Sequence, residues 1–297
     1  MSSASRLQES IRTEIDSLSP PAITGRRAFL AGGIATGFAL AVQPVCAQTV
    51  IKTDAEGLEA GWVKVPAADI SLDAYRAMPA KGGPFPVVLV VQEIFGVHEW
   101  VQDICRRLAK AGYLAIAPAL YQRQGDPTKI ESIAELQSKI VSKVPDAQVI
   151  QDLDATADWA AKHDGDARRM AITGFCWGGR IVWLYAAHNP QLKAGAAWYG
   201  RIEAPETQNN PKHPIDIAAE LKVPVIGFYG GKDGGITVDS VEDMRKAVKA
   251  AGGKSELVIY PDAGHGFLAD YRPSYNPAAG EDGWRKMLAW FKSNGVM

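Results

Sequence analysis

A strand-like segment that ends in a tight glycine turn and runs straight into a helix dominates this sequence. Residues 170–175 are mostly apolar, Gly174 and Gly178 flank Cys176, and an apolar helical pattern begins at Ile181. This is the order of a Gly-x-Ser-x-Gly nucleophile elbow with cysteine in the serine position. The start of the helix would favour a thiolate and later an oxyanion. The alternative is a buried structural cysteine beside a turn.

The overall charge argues against a polyanionic partner. The 297 residues include 32 basic and 33 acidic side chains, which gives a net charge of −1, and neither sign forms a long run. Proteins that bind nucleic acid usually carry a basic face or stripe. We therefore expect a small-molecule ligand and no nucleic acid.

The first 47 residues are predicted to be a twin-arginine signal peptide that is cleaved. Arg26 and Arg27 precede a modestly apolar stretch over residues 31–42, and residues 45–47 form a small-residue cleavage site. The apolar stretch is too short for a permanent membrane anchor. These features predict a periplasmic or secreted protein exported by the twin-arginine machinery.

The remaining chain is predicted to hold a short N-terminal extension, residues 48–60, and one domain, residues 61–297. Its two cysteines, Cys105 and Cys176, are too few for a disulfide framework. Cys105 shares the apolar face of a predicted helix with its neighbours, so we expect it in the core. Cys176 is then the cysteine that needs a functional explanation.

Strand and helix patterns alternate along the whole domain. An opening hairpin, 61–66 and 69–78, precedes the buried strand 86–91, and the segments that follow alternate in the same way. These are the helix 101–111, the strand 113–117, the helices 130–141 and 146–163, the elbow strand, the strand 194–199, the loop 201–222, the strand 223–229, the helix 238–251, the strand 257–260 and a last helix. Such alternation predicts an α/β fold, with a mostly parallel sheet covered by helices on both faces and an antiparallel hairpin at its start.

Four chemically active side chains follow predicted strands. They are Glu93, Cys176, Asp233 and His265. In an open parallel sheet ligands bind beyond the carboxyl ends of the strands, where these residues would meet. The order nucleophile, acid, histidine is that of α/β-hydrolases. Each residue alone has a simpler explanation, since an aspartate among glycines often forms a turn.

Six motifs in order resemble the dienelactone hydrolase (carboxymethylenebutenolidase) family, from about residue 60 to the C-terminus. They are Gln92–Gly96, Leu120–Gln124, Gly174–Gly179, Tyr199–Gly200, Asp233 and Gly264–Phe267. The resemblance implies an α/β-hydrolase fold. It also implies a Cys-His-Asp triad that opens a small, anionic lactone or ester without a metal or organic cofactor.

The chemistry of the residues agrees with the roles that the resemblance implies. Cys176 would attack the carbonyl carbon, and His265, oriented by Asp233, would act as general base and acid. The backbone N–H groups of Ile94 and Trp177 would form the oxyanion hole. These residues predict hydrolysis through a thioester intermediate.

The family that this sequence resembles has a further carboxylate in its active site, in addition to the triad, and Glu93 matches it. It would hold the resting thiol protonated, then swing on substrate binding, take the proton and release a thiolate. A structural salt bridge is the alternative for this side chain.

Substrate recognition is where the sequence departs from the family pattern. The family uses two arginines for the substrate's carboxylate, of which Arg123 matches the first, while Ala269 occupies the second position. Arg272 and Arg201 are candidates to replace it. Tyr199 is a further candidate for substrate binding.

Other interpretations remain open on the sequence alone. The same triad could act on a neutral or larger ester or thioester, or the chain could be an inactive exported binding protein. His98 is expected near the entrance of the site. His163, His188 and His213 are expected on the surface.

Overall fold

A computed structural model describes residues 50–130 and 132–297 of the chain. The predicted signal peptide, its cleavage site and the export motif lie outside the described residues. None of the helices in the described part is long and apolar enough to cross a membrane.

One eight-stranded sheet forms the centre of the described chain, with the strand order β1-β2-β4-β3-β5-β6-β7-β8. Its strands are β1 (Leu58–Pro66), β2 (Ser71–Pro79), β3 (Phe85–Val91), β4 (Leu114–Pro118), β5 (Gly165–Phe175), β6 (Ala194–Trp198), β7 (Val225–Gly230) and β8 (Glu256–Tyr260). The strands β1 and β2 pair antiparallel, β2 pairs antiparallel with β4, and all other pairs are parallel. The predicted fold class is confirmed, including the opening hairpin.

Helices connect these strands. They are α1 (Glu99–Lys110), α2 (Ile133–Lys139), α3 (Asp146–Ala161), α4 (Trp177–His188), α5 (Val238–Ala250) and α6 (Pro277–Ser293), with short 3₁₀ turns at Pro127–Lys129, Val141–Lys143 and Pro214–Glu220. Residues 87–91 of β3 are fully buried, as expected for a strand covered on both faces.

Two predicted segments differ in kind from the structure, and the strand before Cys176 begins at Gly165, earlier than predicted. The helix expected over 130–141 is shorter, because Ser132 caps its start by accepting a hydrogen bond from the Glu135 N–H. The chain then tightens into a 3₁₀ turn ahead of Pro145, whose ring disfavours helical backbone in the residue before it. The expected loop 201–222 contains the 3₁₀ turn Pro214–Glu220.

The segment just ahead of β1 is attached to helix α1. The Thr53 N–H donates to the Asp103 carboxylate at 2.6 Å, and Arg106 Nε donates to the Thr53 carbonyl at 2.8 Å. Lys110 donates to the Glu56 carbonyl at 2.7 Å. These contacts give the predicted N-terminal extension a defined course along the domain.

Candidate active site

Cys176 stands on the turn between β5 and α4 with φ 56° and ψ −117°. This is an uncommon conformation for a residue with a side chain, and such residues cluster at functional sites. A Cβ on Gly174 would come within 2.4 Å of the Gly178 carbonyl oxygen, so the turn depends on glycine there. The Cys176 N–H donates to the Trp198 carbonyl at 3.0 Å, which attaches the turn to β6.

Asp233 and His265 lie together beyond the ends of β7 and β8. His265 Nδ1 is 2.7 Å from Asp233 Oδ2, and both residues are buried. The other carboxylate oxygen accepts the N–H groups of Gly235 at 2.9 Å and Ile236 at 3.1 Å. Asp233 is thereby fixed to orient the imidazole ring.

Asp233 and His265 stabilise each other's charged forms. Burial alone would lower the pKa of His265, but the Asp233 carboxylate and the Cys176 sulfur outweigh it and raise that pKa to about 10. Burial alone would raise the pKa of Asp233, yet His265 and the backbone N–H groups hold it below its ordinary value. This environment favours an imidazolium beside the cysteine sulfur.

Two backbone N–H groups, those of Ile94 and Trp177, were expected from the sequence to form an oxyanion hole. Trp177 is the first residue of α4, so its N–H has no intrahelical carbonyl partner. The Ile94 N–H donates to no other residue within 50–130 and 132–297. Both donors are therefore available to an oxyanion.

Glu93 is fully buried and surrounded by donors. The Tyr271 hydroxyl donates to Oε2 at 2.5 Å, Arg272 Nη2 lies 3.3 Å from Oε1, and His98 Nε2 lies 3.5 Å from Oε2. Burial would raise the pKa of Glu93, but Arg272 and His98 outweigh it and lower the pKa to about 2. Across the part of the chain that the structure describes, Glu93 makes no hydrogen bond to Cys176. Its carboxylate is turned toward Tyr271 and Arg272.

His98 is buried next to the Glu93 carboxylate and also caps the start of α1. Its Nδ1 accepts the Trp100 N–H at 3.4 Å, which leaves Nε2 to carry the proton toward Glu93. Burial lowers the pKa of His98. Neither this role nor that of Tyr271 was expected from the sequence, although Tyr271 follows His265 closely in the same loop.

The two arginines closest to the family pattern are both engaged by carboxylates. Arg123 bridges Asp69 and Asp152, with its Nη1 2.7 Å from Asp152 Oδ2. It is absent from the lining of the cavity that contains Cys176. Arg272 is buried against Glu93, and its guanidinium lies 5.2 Å from the centre of the Phe95 ring.

A cavity of about 350 Å³ opens beside Cys176 and His265. Tyr199 and Arg201 line it, as does Lys143, which was not expected from the sequence. No carboxylate is among the lining residues that the structure describes. A second, larger groove is lined in part by Gln92. Unlike the cavity beside Cys176, it has carboxylates in its wall, those of Asp73, Glu99 and Asp126.

His213 was expected on the surface, and this expectation is wrong. It is buried in the cavity wall, where its Nδ1 accepts a hydrogen bond from Arg180 Nε at 3.1 Å. Arg180 also makes two 2.7 Å bonds to Asp146, which link α4 to α3. Burial and this guanidinium lower the pKa of His213 to about 4, so the ring is neutral.

The remaining histidines and Cys105 follow the sequence predictions. His163 and His188 are exposed. Cys105 is fully buried in α1, and burial raises the pKa of its thiol.

Comparison with known proteins identifies the same family as the sequence motifs. The model of the "Dienelactone hydrolase family" matches residues 72–295. A protein of Methylorubrum extorquens, provisionally named a carboxymethylenebutenolidase, is 56% identical over 284 residues, covering 95% of this chain and 98% of its own.

A solved structure and a more distant relative extend this likeness. The crystal structure of a provisionally named dienelactone hydrolase from Klebsiella pneumoniae has 58% identity and a TM-score of 0.78, covering 79% of this chain and 98% of that one. A Bradyrhizobium protein, provisionally named a 2-oxo-3-(5-oxofuran-2-ylidene)propanoate lactonase, is 30% identical over 239 residues, covering 80% of this chain and 95% of its own.

Proposed function

This chain belongs to the dienelactone hydrolase family and is a hydrolase of esters or lactones, and we propose that Cys176 is its nucleophile. The observation that carries the proposal is the 2.7 Å contact of Asp233 with His265 in the same cavity as the strained Cys176 turn. A buried structural cysteine would need neither an oriented histidine nor a positive φ.

The reaction proceeds in two halves. The Cys176 thiolate attacks the carbonyl carbon, an S–C bond forms, and the carbonyl electrons move to oxygen, where the N–H groups of Ile94 and Trp177 stabilise the charge. As the intermediate collapses, the C–O bond to the leaving group breaks and His265 gives that oxygen its proton. The products of this half are an alcohol or enol and a thioester.

Water completes the cycle. His265 removes a proton from a water molecule, whose oxygen attacks the thioester carbonyl. The C–S bond then breaks, the carboxylic acid leaves, and the thiolate returns beside the protonated histidine. Asp233 holds the imidazole in the required orientation in both halves.

Glu93 controls the charge of the sulfur in this proposal. An ionised carboxylate near the thiol disfavours the thiolate, and the contacts of Glu93 with Tyr271 and Arg272 correspond to the position in which the carboxylate has turned away from the sulfur. In its other position, beside the sulfur, the carboxylate would accept the thiol proton as substrate enters and then turn back to Tyr271 and Arg272.

The substrate is a small anion in this proposal. Lys143 and Arg201 line the catalytic cavity, and the described lining holds no carboxylate to repel an acid. The name of the Bradyrhizobium relative, which includes a propanoate group on a lactone, agrees with such a substrate. Arg123 is assigned a structural role instead, because Asp69 and Asp152 already neutralise it.

Export is the remaining part of the proposal. Arg26 and Arg27, together with the small residues ahead of Gln48, support transport of the folded chain to the periplasm or medium. N-terminal sequencing of the exported protein should start near Gln48, and replacing both arginines by lysine should leave the protein in the cytoplasm.

Labelling of the nucleophile tests the central assignment. Iodoacetamide should modify Cys176 and abolish hydrolysis of a carboxylate-bearing lactone, while Cys105 stays unmodified because its thiol is buried. Cys105→Ala serves as the matched control and should keep activity. Full activity in Cys176→Ala would overturn the proposal.

A further inference from the structure

Tyr199 carries a hydroxyl group that the fold leaves without a partner. The residue is fully buried, and its Oη makes no hydrogen bond with any residue of the described chain. Buried polar groups are nearly always hydrogen-bonded, so an exception in a residue that lines this cavity indicates a side chain available to bind substrate. Hydrophobic packing alone would be served equally well by phenylalanine.

The backbone at Tyr199 is in a strained conformation. Tyr199 has a φ of 38°, one of three positive values among non-glycine residues that the structure describes. Its N–H donates to the Phe228 carbonyl at 2.8 Å, and the next residue, Gly200, packs so closely on Gly179 that an added Cβ would lie 2.2 Å from the Gly179 carbonyl carbon. Strain of this kind is typical of positions where the protein fixes a functional side chain.

The same contacts place Tyr199 beside the catalytic residues. The residue before it, Trp198, accepts the Cys176 N–H at 3.0 Å. The Tyr199 ring packs edge-on against His265, with 5.1 Å between ring centres, and against Phe267 at 5.4 Å. Tyr199 therefore packs directly beside His265 in the wall of the cavity that Cys176 also lines.

The hydroxyl stays protonated in this environment. Burial raises the pKa of Tyr199 well above its ordinary value, and the negative charge of Glu93 acts in the same direction. The group is therefore a hydrogen-bond donor at neutral pH.

The geometry points to Tyr199 as a catalytic group that donates a hydrogen bond to the leaving-group oxygen while the bond from that oxygen to the acyl carbon breaks. The N–H groups of Ile94 and Trp177 already serve the carbonyl oxygen, whereas the leaving oxygen receives its proton from His265, against which Tyr199 packs. Tyr199 stabilises the developing charge without giving up its own proton. The inference rests on the proposed function and adds a residue to the reaction.

A series of esters that differ only in leaving group tests this role. In Tyr199→Phe, kcat/KM should fall on the order of 10- to 100-fold for esters of poorly acidic alcohols, because negative charge on their leaving oxygen is the least stable. It should fall less than about threefold for nitrophenyl esters, since nitrophenolate leaves readily without a hydrogen bond to its oxygen. Tyr113→Phe, at a position just before β4 that does not line the cavity, is the matched control and should leave the series unchanged.

Thermal unfolding separates this role from a structural one. Because phenylalanine removes an unpaired buried hydroxyl, the Tm of Tyr199→Phe should equal or exceed that of the wild type. A uniform loss across all leaving groups, or no loss, would overturn the inference. If iodoacetamide still inactivates the wild type in that case, the nucleophile assignment stands and only the role of Tyr199 fails.

Discussion

The hydroxyl of Tyr271 donates a hydrogen bond to Glu93 Oε2 at 2.5 Å, and the two residues are 178 positions apart in the chain. Arg272, the next residue, lies 3.3 Å from the other carboxylate oxygen. The loop that carries His265 therefore also holds the Glu93 carboxylate. This arrangement keeps Glu93 ionised although it is fully buried.

Acid should weaken the fold through this carboxylate. The pKa of Glu93 is lowered from its ordinary 4.5 to about 2, so its ionised form contributes stability that is fully present above pH 4.5 and is lost as the pH falls toward 2. The free energy of unfolding, measured by urea denaturation, should fall more steeply over this range in the wild type than in Glu93→Gln. Equal pH dependence of the two proteins would contradict the ionised state.

Asp233 should determine the pH at which the alkylation rate of Cys176 changes on the alkaline side. Its carboxylate helps to raise the pKa of His265 to about 10, so Asp233→Asn should lower that value and shift the high-pH change in alkylation rate to lower pH. The kcat should also fall on the order of 10²- to 10⁴-fold, since the ring loses its orientation. The measurement is the rate of iodoacetamide labelling of Cys176 between about pH 6 and 11. An unshifted profile would argue against the coupling.

The arginines should divide into one that selects substrate and one that supports structure. Arg201→Gln should raise KM for a carboxylate-bearing lactone on the order of 10- to 100-fold and leave a neutral ester nearly unchanged. Lys143→Gln should act in the same direction and more weakly, because this side chain is exposed. Steady-state kinetics with the two substrates decides the matter.

Arg123→Gln is the matched comparison for these two variants. It leaves the buried Asp152 without its ion-pair partner, so it should lower stability by roughly 1–3 kcal/mol. Its KM values for the two substrates should keep their ratio. A rise in KM for the anionic lactone alone would show that Arg123 binds the substrate.

The sequence predicted the parts of the site that depend on local pattern. Cys176, Asp233 and His265 each follow a strand, and the parallel sheet brings strand ends to one edge. The partners of Arg123 were not predictable, because Asp69 and Asp152 lie 54 and 29 residues away. His213 was misjudged for the same reason, since its burial depends on a long-range bond to Arg180.

The last prediction joins the proposed export to the chemistry of Cys176. A reactive thiolate is vulnerable to oxidants outside the cytoplasm, and Glu93 places a negative charge in the same buried cluster as Arg272. The positive charge of Arg272 also interacts with the sulfur. In Glu93→Gln the repulsion of the thiolate is lost and Arg272 is left to attract it. Peroxide should therefore inactivate this variant several-fold faster than the wild type, while kcat falls because the proton acceptor is gone.

Tyr271→Phe separates charge from hydrogen bonding in this experiment. The variant removes one donor to Glu93 and keeps the carboxylate and Arg272 in place. Its thiol should be oxidised at nearly the wild-type rate if the negative charge protects the sulfur, because that charge remains. Equal or slower inactivation of Glu93→Gln relative to the wild type would show that the carboxylate does not shield Cys176. The protective effect would then have to come from the enclosure of the cysteine alone, which is 4% exposed.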